Sequence, residues 1–442
     1  MLVPGSNPAL HTIAKRLAKR FVLAGIVALI TACAPLASRN AAAPPIANAA
    51  QRDAVILISI DGMPADLLGT GATPTLDAIA AEGVHATWMN PSQPTLTFPN
   101  HYTLVTGLRP DHHGIVHNNM NDEALGRFVS KEQISATDSR WWGGEPIWAT
   151  LQKQGGIAAT MFWPGSEARI AGELPRYRRR FDDSVTPEAR ADQLLAWLDL
   201  PLSERPQLLT LYFEHYDIAA HSAGARSELA MNALRRIDAT IARLSEGMRT
   251  RGLLSKTNIV IVSDHGMADV PRDQRVWLDD VLDPTLYTTN WWGTFIGLTP
   301  NPGQTDAVER AFLGGHPHFV CWRKAETPAP WRFGRHPRVP PIVCQVETGW
   351  RLQSRTHTVN DQPMRGEHGF AMDDPTMRAV FVASGPALCS GVELQAFDNV
   401  DLYSLLARLL RVRPAQTDGR IDALLPALRE SQSAQLSKTG CQ

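Results

Sequence analysis

The sequence has no excess of charge of either sign. Its 442 residues include 43 Lys and Arg against 44 Asp and Glu, which gives a formal net charge of −1 at pH 7. This balance argues against a nucleic-acid duplex as the partner, because duplex binding needs a strongly basic surface. Small anionic substrates remain compatible with it, since bound metal ions can supply the positive charge that the side chains lack.

Cysteine is also scarce. The chain has 5 cysteines, and none shows the spacing of a zinc finger. If a leader is removed on export, four cysteines remain, and an even number permits two disulfides in an oxidising compartment. Their proximity in sequence favours pairing Cys321 with Cys344 and Cys389 with Cys441.

The apolar run at the N-terminus is short. Residues 21–30 are apolar and follow a cluster of basic residues, and such a run is too short to span a bilayer comfortably. We therefore predict a secretory signal over residues 1–33, with an uncleaved membrane anchor as the alternative. Residues 30–33 also resemble a bacterial lipobox, so either lipidation of Cys33 or ordinary signal-peptidase cleavage is expected. The Ala- and Pro-rich residues 34–52 are typical of a flexible linker.

The rest of the chain alternates buried-strand and helix patterns. Continuous apolar runs predict strands at residues 54–60, 207–213 and 258–263, and a further strand at 378–384. Helical patterns lie between them, including a long amphipathic helix over 227–251. This alternation predicts an α/β fold, with a mostly parallel central sheet and helices on both faces.

One region breaks this pattern. Residues 276–362 are rich in Pro, Trp and Arg and carry only short strand signals. We interpret them as a small inserted cap region within a catalytic domain that covers residues 53–430. Residues 431–442 are predicted to form a C-terminal tail.

A hydroxyl stands at a predicted helix start. Thr97 lies in the run Thr-Leu-Thr-Phe-Pro-Asn-His at 95–101, where Pro99 sets a helical φ and Gly107 is a plausible stop. Backbone N–H groups at a helix start favour a bound anion. The residue is therefore either a helix cap or a nucleophile toward phosphate.

Three carboxylates lie at or just beyond predicted strand ends, and three histidines accompany them: Asp61, Asp217 and Asp264, with His221, His265 and His368. Mixed Asp and His ligands suit zinc, and a site with more oxygen would suit magnesium or manganese. Six ligands are too many for one tetrahedral zinc and fit two metals that clamp an in-line displacement at phosphorus. Each residue alone could be an ordinary turn or surface residue, so the prediction depends on the whole set.

The motifs together resemble the nucleotide pyrophosphatase/phosphodiesterase family of the alkaline phosphatase superfamily. They occur in the family order over roughly residues 53–425 and are IDGM at 60–63, TLTFPNH at 95–101, GIVHNN at 114–119, FWPGSE at 162–167, DIAAH at 217–221, SDHGM at 263–267 and GEHG at 366–369. The resemblance implies an alkaline-phosphatase-like fold and an enzyme with two Zn²⁺ ions per chain.

The resemblance also implies a role for each site residue. One zinc would be held by Asp217, His221 and His368, and the other by Asp61, Thr97, Asp264 and His265. Thr97 would attack phosphorus and form a covalent nucleotidyl-threonine, and Asn118 would donate a hydrogen bond to a non-bridging phosphate oxygen. Phe98 and Phe181 would stack on either side of a nucleobase, although the family often has Tyr followed by Asn where this chain has Phe181-Asp182.

The implied activity is hydrolysis of nucleotide diesters and pyrophosphates to nucleoside 5′-monophosphates by an exported protein of the periplasm or cell envelope. A family diesterase acting on lipid or choline head groups and a phosphate monoesterase are the enzymatic alternatives. Phe98 and Pro99 beside Thr97, in place of Arg or Lys, favour a diester over a doubly charged monoester. A sulfatase would need Cys or Ser at position 97. A non-catalytic metal- or ligand-binding envelope lipoprotein is the alternative outside the enzymes.

Overall fold

The computed structural model describes residues 53–355 and 364–429. The predicted signal, the lipobox cysteine, the linker and the C-terminal tail therefore lie outside the described residues. No helix within the described ranges has both the length and the apolar character needed to cross a bilayer.

The helices and strands alternate through the first half of the described chain. The helices are α1 Pro74–Glu82, α2 Thr97–Thr106, α3 Pro110–His113, α4 Gln133–Thr137, α5 Ile147–Lys153, α6 Pro187–Leu198, α7 His215–Ala223, α8 Glu228–Thr250, α9 Leu278–Val281, α10 Thr305–Phe312 and α11 Leu402–Leu409. The strands are β1 Ala54–Ile60, β2 Val84–Ala86, β3 Met89–Asn90, β4 Asn119–Asp122, β5 Gly126–Val129, β6 Ala158–Met161, β7 Tyr177–Arg178, β8 Leu208–Phe213, β9 Thr257–Val262, β10 Ala268–Asp269, β11 Arg275–Trp277, β12 Tyr287–Trp291, β13 Phe295–Pro300, β14 Gly314–His316, β15 Phe319–Arg323, β16 Ile342–Val346, β17 Arg351–Gln353, β18 Gly366–Glu367, β19 Phe381–Ser384, β20 Val392–Leu394 and β21 Phe397–Asp398.

The central sheet has the strand order β20-β2-β19-β9-β1-β8-β6-β7. Five of its seven neighbouring pairs are parallel, which confirms the prediction of a mostly parallel sheet. The exception is β19, which runs antiparallel to both β9 and β2. An apolar run does not encode strand direction, so the sequence could not reveal this.

Helices cover both faces of the sheet, as predicted. Val55 and Leu57 of β1 pack into one core with residues of α2, α5 and α11. The alternate residues Ile56, Ile58 and Ile60 pack into a second core with α1, α6, α7 and α8. Side chains of a strand alternate between faces, so a continuous apolar run is required where both faces are buried.

A second sheet of five strands lies within residues 287–346, in the order β12-β13-β16-β15-β14, with antiparallel pairing throughout. It has a core of its own that includes Ile296, Phe312 and Cys344. Cys321 and Cys344 face each other across β15 and β16 and form the predicted disulfide, with a Cα–Cα distance of 4.0 Å. Cys389 is disulfide-bonded as well, and Cys441 lies outside the described residues.

The central sheet brings the predicted site residues to one edge. The strands β8, β1 and β9 are adjacent and parallel, so their carboxyl ends meet. Asp61 follows β1 directly, Asp264 follows β9 after one residue, and α7 with Asp217 follows β8. This edge is where open α/β sheets place their ligands.

Candidate active site

Thr97 is the first residue of α2, and Leu96 occupies the cap position before it. The interpretation of the Thr97 side chain as a helix cap is therefore wrong, because the hydroxyl is not used to cap the helix. Its Oγ1 lies 3.4 Å from Nε2 of His265 instead. The helix ends as predicted at Gly107, which has a left-handed φ of 65°.

The loop before Thr97 is held by one buried amide. Oδ1 of Asn100 accepts a hydrogen bond from the backbone N–H of Ser92 at 2.7 Å. Its Nδ2 donates to the carbonyl oxygens of Pro94 and Leu96, both at 2.9 Å. The Thr97 hydroxyl is thus placed by a fixed backbone, as a nucleophile must be.

The first group of predicted ligands comes together around α7. Asp217 and His221 are one helical turn apart, and Oδ2 of the former lies 3.4 Å from Nε2 of the latter. Nε2 of His368 lies 3.8 Å from Oδ1 of Asp217. Nδ1 of His221 is hydrogen-bonded to the carbonyl oxygen of Gly366 at 2.8 Å. Nδ1 of His368 is hydrogen-bonded to the carbonyl oxygen of Thr95 at 2.9 Å. Each Nδ1 therefore donates outward and leaves Nε2 with a free lone pair.

The second group lies where β1 and β9 end. Nε2 of His265 is 3.0 Å from Oδ2 of Asp264 and 3.6 Å from Oδ1 of Asp61. Its Nδ1 meets the carbonyl oxygen of Gly266 at 2.9 Å, so this imidazole too has its Nε2 available. The His265 ring also stacks on His368 with centroids 3.7 Å apart. His265 thus lies between the two groups, because its ligand atom is also within 4.8 Å of those of Asp217 and His368.

Two residues of the site were not found by sequence reasoning. Nδ1 of His101 lies 3.1 Å from Oδ2 of Asp264, and its Nε2 is hydrogen-bonded to the hydroxyl of Ser59 at 2.8 Å. The Tyr212 hydroxyl donates to Oδ2 of Asp61 at 2.6 Å. The available signals were the spacing of His101, one helical turn after Thr97, and the position of Tyr212 near the end of β8.

The distances among these side chains fit shared metal ions. Ligand atoms on one tetrahedral zinc, at about 2.0–2.2 Å from the metal, lie about 3.3–3.6 Å apart. The contacts of 3.4 Å in the Asp217 group and of 3.4 and 3.6 Å around His265 match that spacing, whereas His368 is 3.8 Å from Asp217 and His265 is 3.0 Å from Asp264. The structure therefore brings the predicted Asp and His ligands together with the Thr97 hydroxyl, and His101 joins Asp61 and Asp264 as a further candidate ligand.

Buried carboxylate oxygens without hydrogen-bond partners also support a metal site. Oδ1 of Asp61 and Oδ1 of Asp217 are buried and have no hydrogen-bond partner in the described residues. Oδ2 of Asp264 likewise lacks a hydrogen bond of normal geometry within this part of the chain, although ring nitrogens of His101 and His265 lie 3.1 and 3.0 Å away. An unpaired buried carboxylate oxygen is costly, and a bound cation would offset that cost at each of these atoms.

The electrostatics of the site also call for positive charge. Burial raises the pKa of Asp61 well above its ordinary value, and the charges of Asp264 and Asp217 raise it further. Burial opposes ionisation of Asp264, but His101 and His265 hold the pKa of this carboxyl well below its ordinary value. Burial lowers the pKa of His368 well below its ordinary value. The neutral imidazole is the form that binds metal.

Asn118 and Phe98 flank the hydroxyl. Oδ1 of Asn118 accepts a hydrogen bond from the backbone N–H of Phe98 at 2.8 Å. Because that oxygen is occupied, the amide NH₂ is oriented away from it and remains a donor. The Phe98 ring is half-buried and packs against Phe128 and Trp142, with centroids 5.9 and 6.2 Å apart.

Phe181 lies beside Phe162, which follows β6, and Tyr212 of β8. It is 48% exposed, and its ring packs edge-on against Phe162 with centroids 5.3 Å apart. Its ring centroid also lies 6.1 Å from that of Tyr212, which holds Asp61. Phe162 lies over the guanidinium of the buried Arg190 at 5.0 Å. Phe162 and Tyr212 therefore support the exposed Phe181 ring, and Tyr212 links it to the carboxylate cluster through its hydrogen bond to Asp61.

The fold and this cluster define a metal-dependent hydrolase with an alkaline-phosphatase-like sheet. The model of the type I phosphodiesterase / nucleotide pyrophosphatase family matches residues 55–371. The chain belongs to this family. Members are phosphodiesterases and nucleotide pyrophosphatases, and the chain is an enzyme of this class.

Relatives of several kinds match over most of the chain. A Schizosaccharomyces pombe protein, named as an uncharacterized pyrophosphatase/phosphodiesterase, is 34% identical over 86% of this chain and 81% of its own length. Ectonucleotide pyrophosphatase/phosphodiesterase family member 3 of Rattus norvegicus is 33% identical over 88% of this chain but only 46% of its own length. The venom phosphodiesterase of Macrovipera lebetinus is 33% identical, with 87% of this chain and 46% of the relative covered. The chain thus spans about half the length of the last two relatives.

Solved structures agree with the family. Murine ectonucleotide pyrophosphatase / phosphodiesterase 5, as an inactive threonine-to-alanine variant in complex with AMP, has a TM-score of 0.81 to this chain at 30% identity. The match covers 86% of this chain and 100% of the murine one. The human protein of the same name has a TM-score of 0.81 as well, with 85% of this chain covered at 30% identity.

Proposed function

We propose that this enzyme hydrolyses nucleotide diesters and pyrophosphates to nucleoside 5′-monophosphates in two steps, through a covalent adduct on Thr97. The observation that carries the proposal is the placement of the Thr97 hydroxyl, which does not cap its helix, 3.4 Å from Nε2 of His265, whose ring also approaches the buried carboxylates of Asp61 and Asp264. A hydroxyl that served only structure would be hydrogen-bonded to the backbone at the helix start.

The residues would hold two Zn²⁺ ions. Asp217, His221 and His368 fit one ion, and Asp61, Asp264 and His265 fit the other together with the Thr97 oxygen. Mixed carboxylate and imidazole donors favour zinc over magnesium. Two such ions supply Lewis-acid charge that activates a nucleophile and offsets the negative charge of the phosphate.

In the first step, Oγ of Thr97 forms a bond to phosphorus while the bond to the leaving oxygen breaks. The hydroxyl proton is lost to solvent, and the nucleoside 5′-phosphoryl group stays on Thr97. In the second step, water attacks the same phosphorus, the Oγ–P bond breaks, and the hydroxyl is restored. The free NH₂ of Asn118 donates to a non-bridging oxygen, where negative charge increases in each transition state.

The surroundings of the hydroxyl favour a diester over a monoester. A diester carries one negative charge on its phosphate, and a monoester carries two near neutral pH. The ion-pair partners of the three site carboxylates are histidines. The residues that directly follow Thr97 are the aromatic Phe98 and the buried Pro99. An apolar wall suits the esterified oxygen of a diester better than a second charge.

Phe98 and Phe181 would provide the nucleobase slot. Both rings are fixed by other aromatic side chains, and each leaves surface accessible. The murine relative was solved in complex with AMP, which supports a nucleoside monophosphate as the product held here.

We also propose that the enzyme is exported to the periplasm or cell envelope, in line with the ectonucleotide and venom names of its relatives. Tethering through a lipid on Cys33 is a proposal that rests on the sequence alone.

Replacing Phe98 by Ala tests the nucleotide specificity. Stacking of one base on an aromatic side chain is worth about 1–3 kcal/mol, so we expect KM for a nucleotide diester to rise about 5- to 150-fold. The KM for bis(p-nitrophenyl) phosphate should change much less, because an aryl group is not held by both rings. Steady-state kinetics with both substrates, together with chromatographic identification of the 5′-monophosphate, measure this.

Phe98→Leu is the matched control, since it keeps an apolar side chain of similar size but removes the flat face. It should impair nucleotide turnover nearly as much as Phe98→Ala. Equal increases of KM for the nucleotide and the aryl diester would count against a nucleobase slot. Such a result would favour a family diesterase that acts on another head group.

A further inference from the structure

The turn between β12 and β13 reaches both sides of the proposed site. It comprises residues 291–295, in the five-stranded sheet, and is here named the β12–β13 turn. Trp291 and Phe295 are fully buried at its ends, and Thr294 between them is 3% exposed. None of these residues is a predicted ligand or nucleophile, so their contacts with the site require a separate explanation.

One end of the turn contacts the Asn118 loop. The Trp291 ring stacks on His117 with centroids 4.7 Å apart and an interplanar angle of 4°. Nδ1 of His117 accepts a hydrogen bond from the backbone N–H of Asn119 at 3.1 Å, and the same nitrogen lies 3.0 Å from the carbonyl oxygen of Asn119. Burial lowers the pKa of His117 to about 3, so the ring is neutral and has one donor and one acceptor. The backbone on both sides of Asn118 is therefore fixed to the turn.

The middle of the turn contacts the His368 loop. Oγ1 of Thr294 donates to the carbonyl oxygen of His368 at 2.5 Å. Gln345 of β16 reinforces the contact, because its Nε2 donates to the carbonyl oxygens of Thr294 and Gly369, both at 3.1 Å. Gly369 has a positive φ of 89° and packs against Thr294, so a larger residue would not fit there.

We propose that the β12–β13 turn positions two groups of the reaction, Asn118 through the Trp291–His117 stack and His368 through the Thr294 hydroxyl. The five-stranded sheet then fixes the position of the hydrogen-bond donor Asn118 relative to the metal ligand His368. This inference rests on the proposed function for the role of Asn118. Its metal-ligand half does not depend on turnover, because zinc affinity can be measured alone.

Thr294→Val tests the metal-ligand half. It removes the hydroxyl and keeps the shape, so we expect the zinc dissociation constant in chelator competition to increase about 10-fold, as for other groups that orient a ligand. Thr299→Val is the matched control, since Thr299 lies in the same sheet and donates to Asn290 at 2.6 Å, away from the site. Zinc affinity equal to that of the control would overturn this half of the proposal.

Trp291→Leu tests the Asn118 half. We expect kcat for a diester to fall about 10-fold, a part of the 10²- to 10³-fold cost of losing one such donor. Zinc affinity should stay within about twofold of wild type, because the Thr294 contact to the His368 loop is kept. Trp291→Phe, which keeps a stacking face, should restore most of kcat. Trp322→Leu is the control, because Trp322 packs on Trp331 at 5.0 Å in the same sheet.

A phosphorothioate diester distinguishes positioning from general damage. Sulfur is a weak hydrogen-bond acceptor, so replacing the oxygen that Asn118 contacts should slow the wild-type enzyme. For one diastereomer, the ratio of the rate with the phosphate diester to the rate with the phosphorothioate should be smaller in Trp291→Leu than in the wild type. The same decrease is expected in Asn118→Ala. An unchanged ratio, or an equal loss in the Trp322→Leu control, would overturn the Asn118 half. If the wild type turned over no diester at all, the proposed function would fail, and zinc affinity of Thr294→Val would still decide the His368 half.

Discussion

Thr97→Ala is expected to reduce kcat for a diester by at least about 10⁴-fold and to leave the metal content nearly unchanged. Removal of a covalent nucleophile costs about 10⁶-fold in well-studied hydrolases, and the remaining rate comes from binding and charge stabilisation. Six other side chains of the site remain in Thr97→Ala, so metal should still bind. Elemental analysis and steady-state kinetics of the same preparation measure both quantities.

Thr97→Ser is the matched control. It keeps an oxygen nucleophile at the start of α2 and removes only a methyl group, so it should keep a substantial part of the activity. Neither change affects the hydrogen bonds by which the Asn100 side chain holds the backbone before Thr97. If Thr97→Ala kept the activity but lost the metal, the hydroxyl would be a ligand and not the nucleophile.

Removal of the metal is expected to lower both activity and stability strongly. Three carboxylates, Asp61, Asp217 and Asp264, approach one another in a buried site, and without cations their charges repel. A ligand at about 1,000 times its Kd stabilises the native state by about 4 kcal/mol. For a protein of this size, that corresponds to a decrease of roughly 4–5 °C in Tm for each ion removed by a chelator.

Differential scanning calorimetry with and without a chelator checks this, and added Zn²⁺ should restore both Tm and turnover. Asp217→Asn should reduce the gain in Tm on adding Zn²⁺, because it removes a ligand of one ion and leaves the ligands of the other. Asp66→Asn is the control, because Asp66 is an exposed carboxylate in an ion pair with Arg226. A chelated protein with full activity and an unchanged Tm would contradict the two-metal centre.

Local patterns were sufficient to predict much of the fold. The apolar run of β1 is followed by Asp61 and that of β9 by Asp264, so the strand pattern alone predicts two carboxylates at the sheet edge. The long helix α8 begins after Ser227, whose side chain accepts from the N–H of Ala230, as its capping signal predicts. Where a residue's neighbours in sequence determine its position, the prediction was accurate.

Contacts between distant segments could not be predicted in this way. The approach of His101 to Asp264 depends on how α2 packs against the end of β9. The position of His265 between the two ligand groups depends on the His368 loop, which comes from about a hundred residues later in the chain. The motif at residues 114–119 directly follows the short helix α3 and ends at the first residue of β4, and neither element was predicted. Pro110 at its first position and Gly114 after its end account for the helix α3.

The central claim is that the enzyme transfers the phosphoryl group of a diester. The most direct test compares kcat/KM for bis(p-nitrophenyl) phosphate and p-nitrophenyl phosphate with the zinc-loaded wild-type enzyme. Phe98 and Pro99 beside the nucleophile predict that the diester is hydrolysed faster by at least about 10-fold, or about 1.4 kcal/mol in transition-state stabilisation. Faster turnover of the monoester would contradict this account and identify the protein as a phosphate monoesterase.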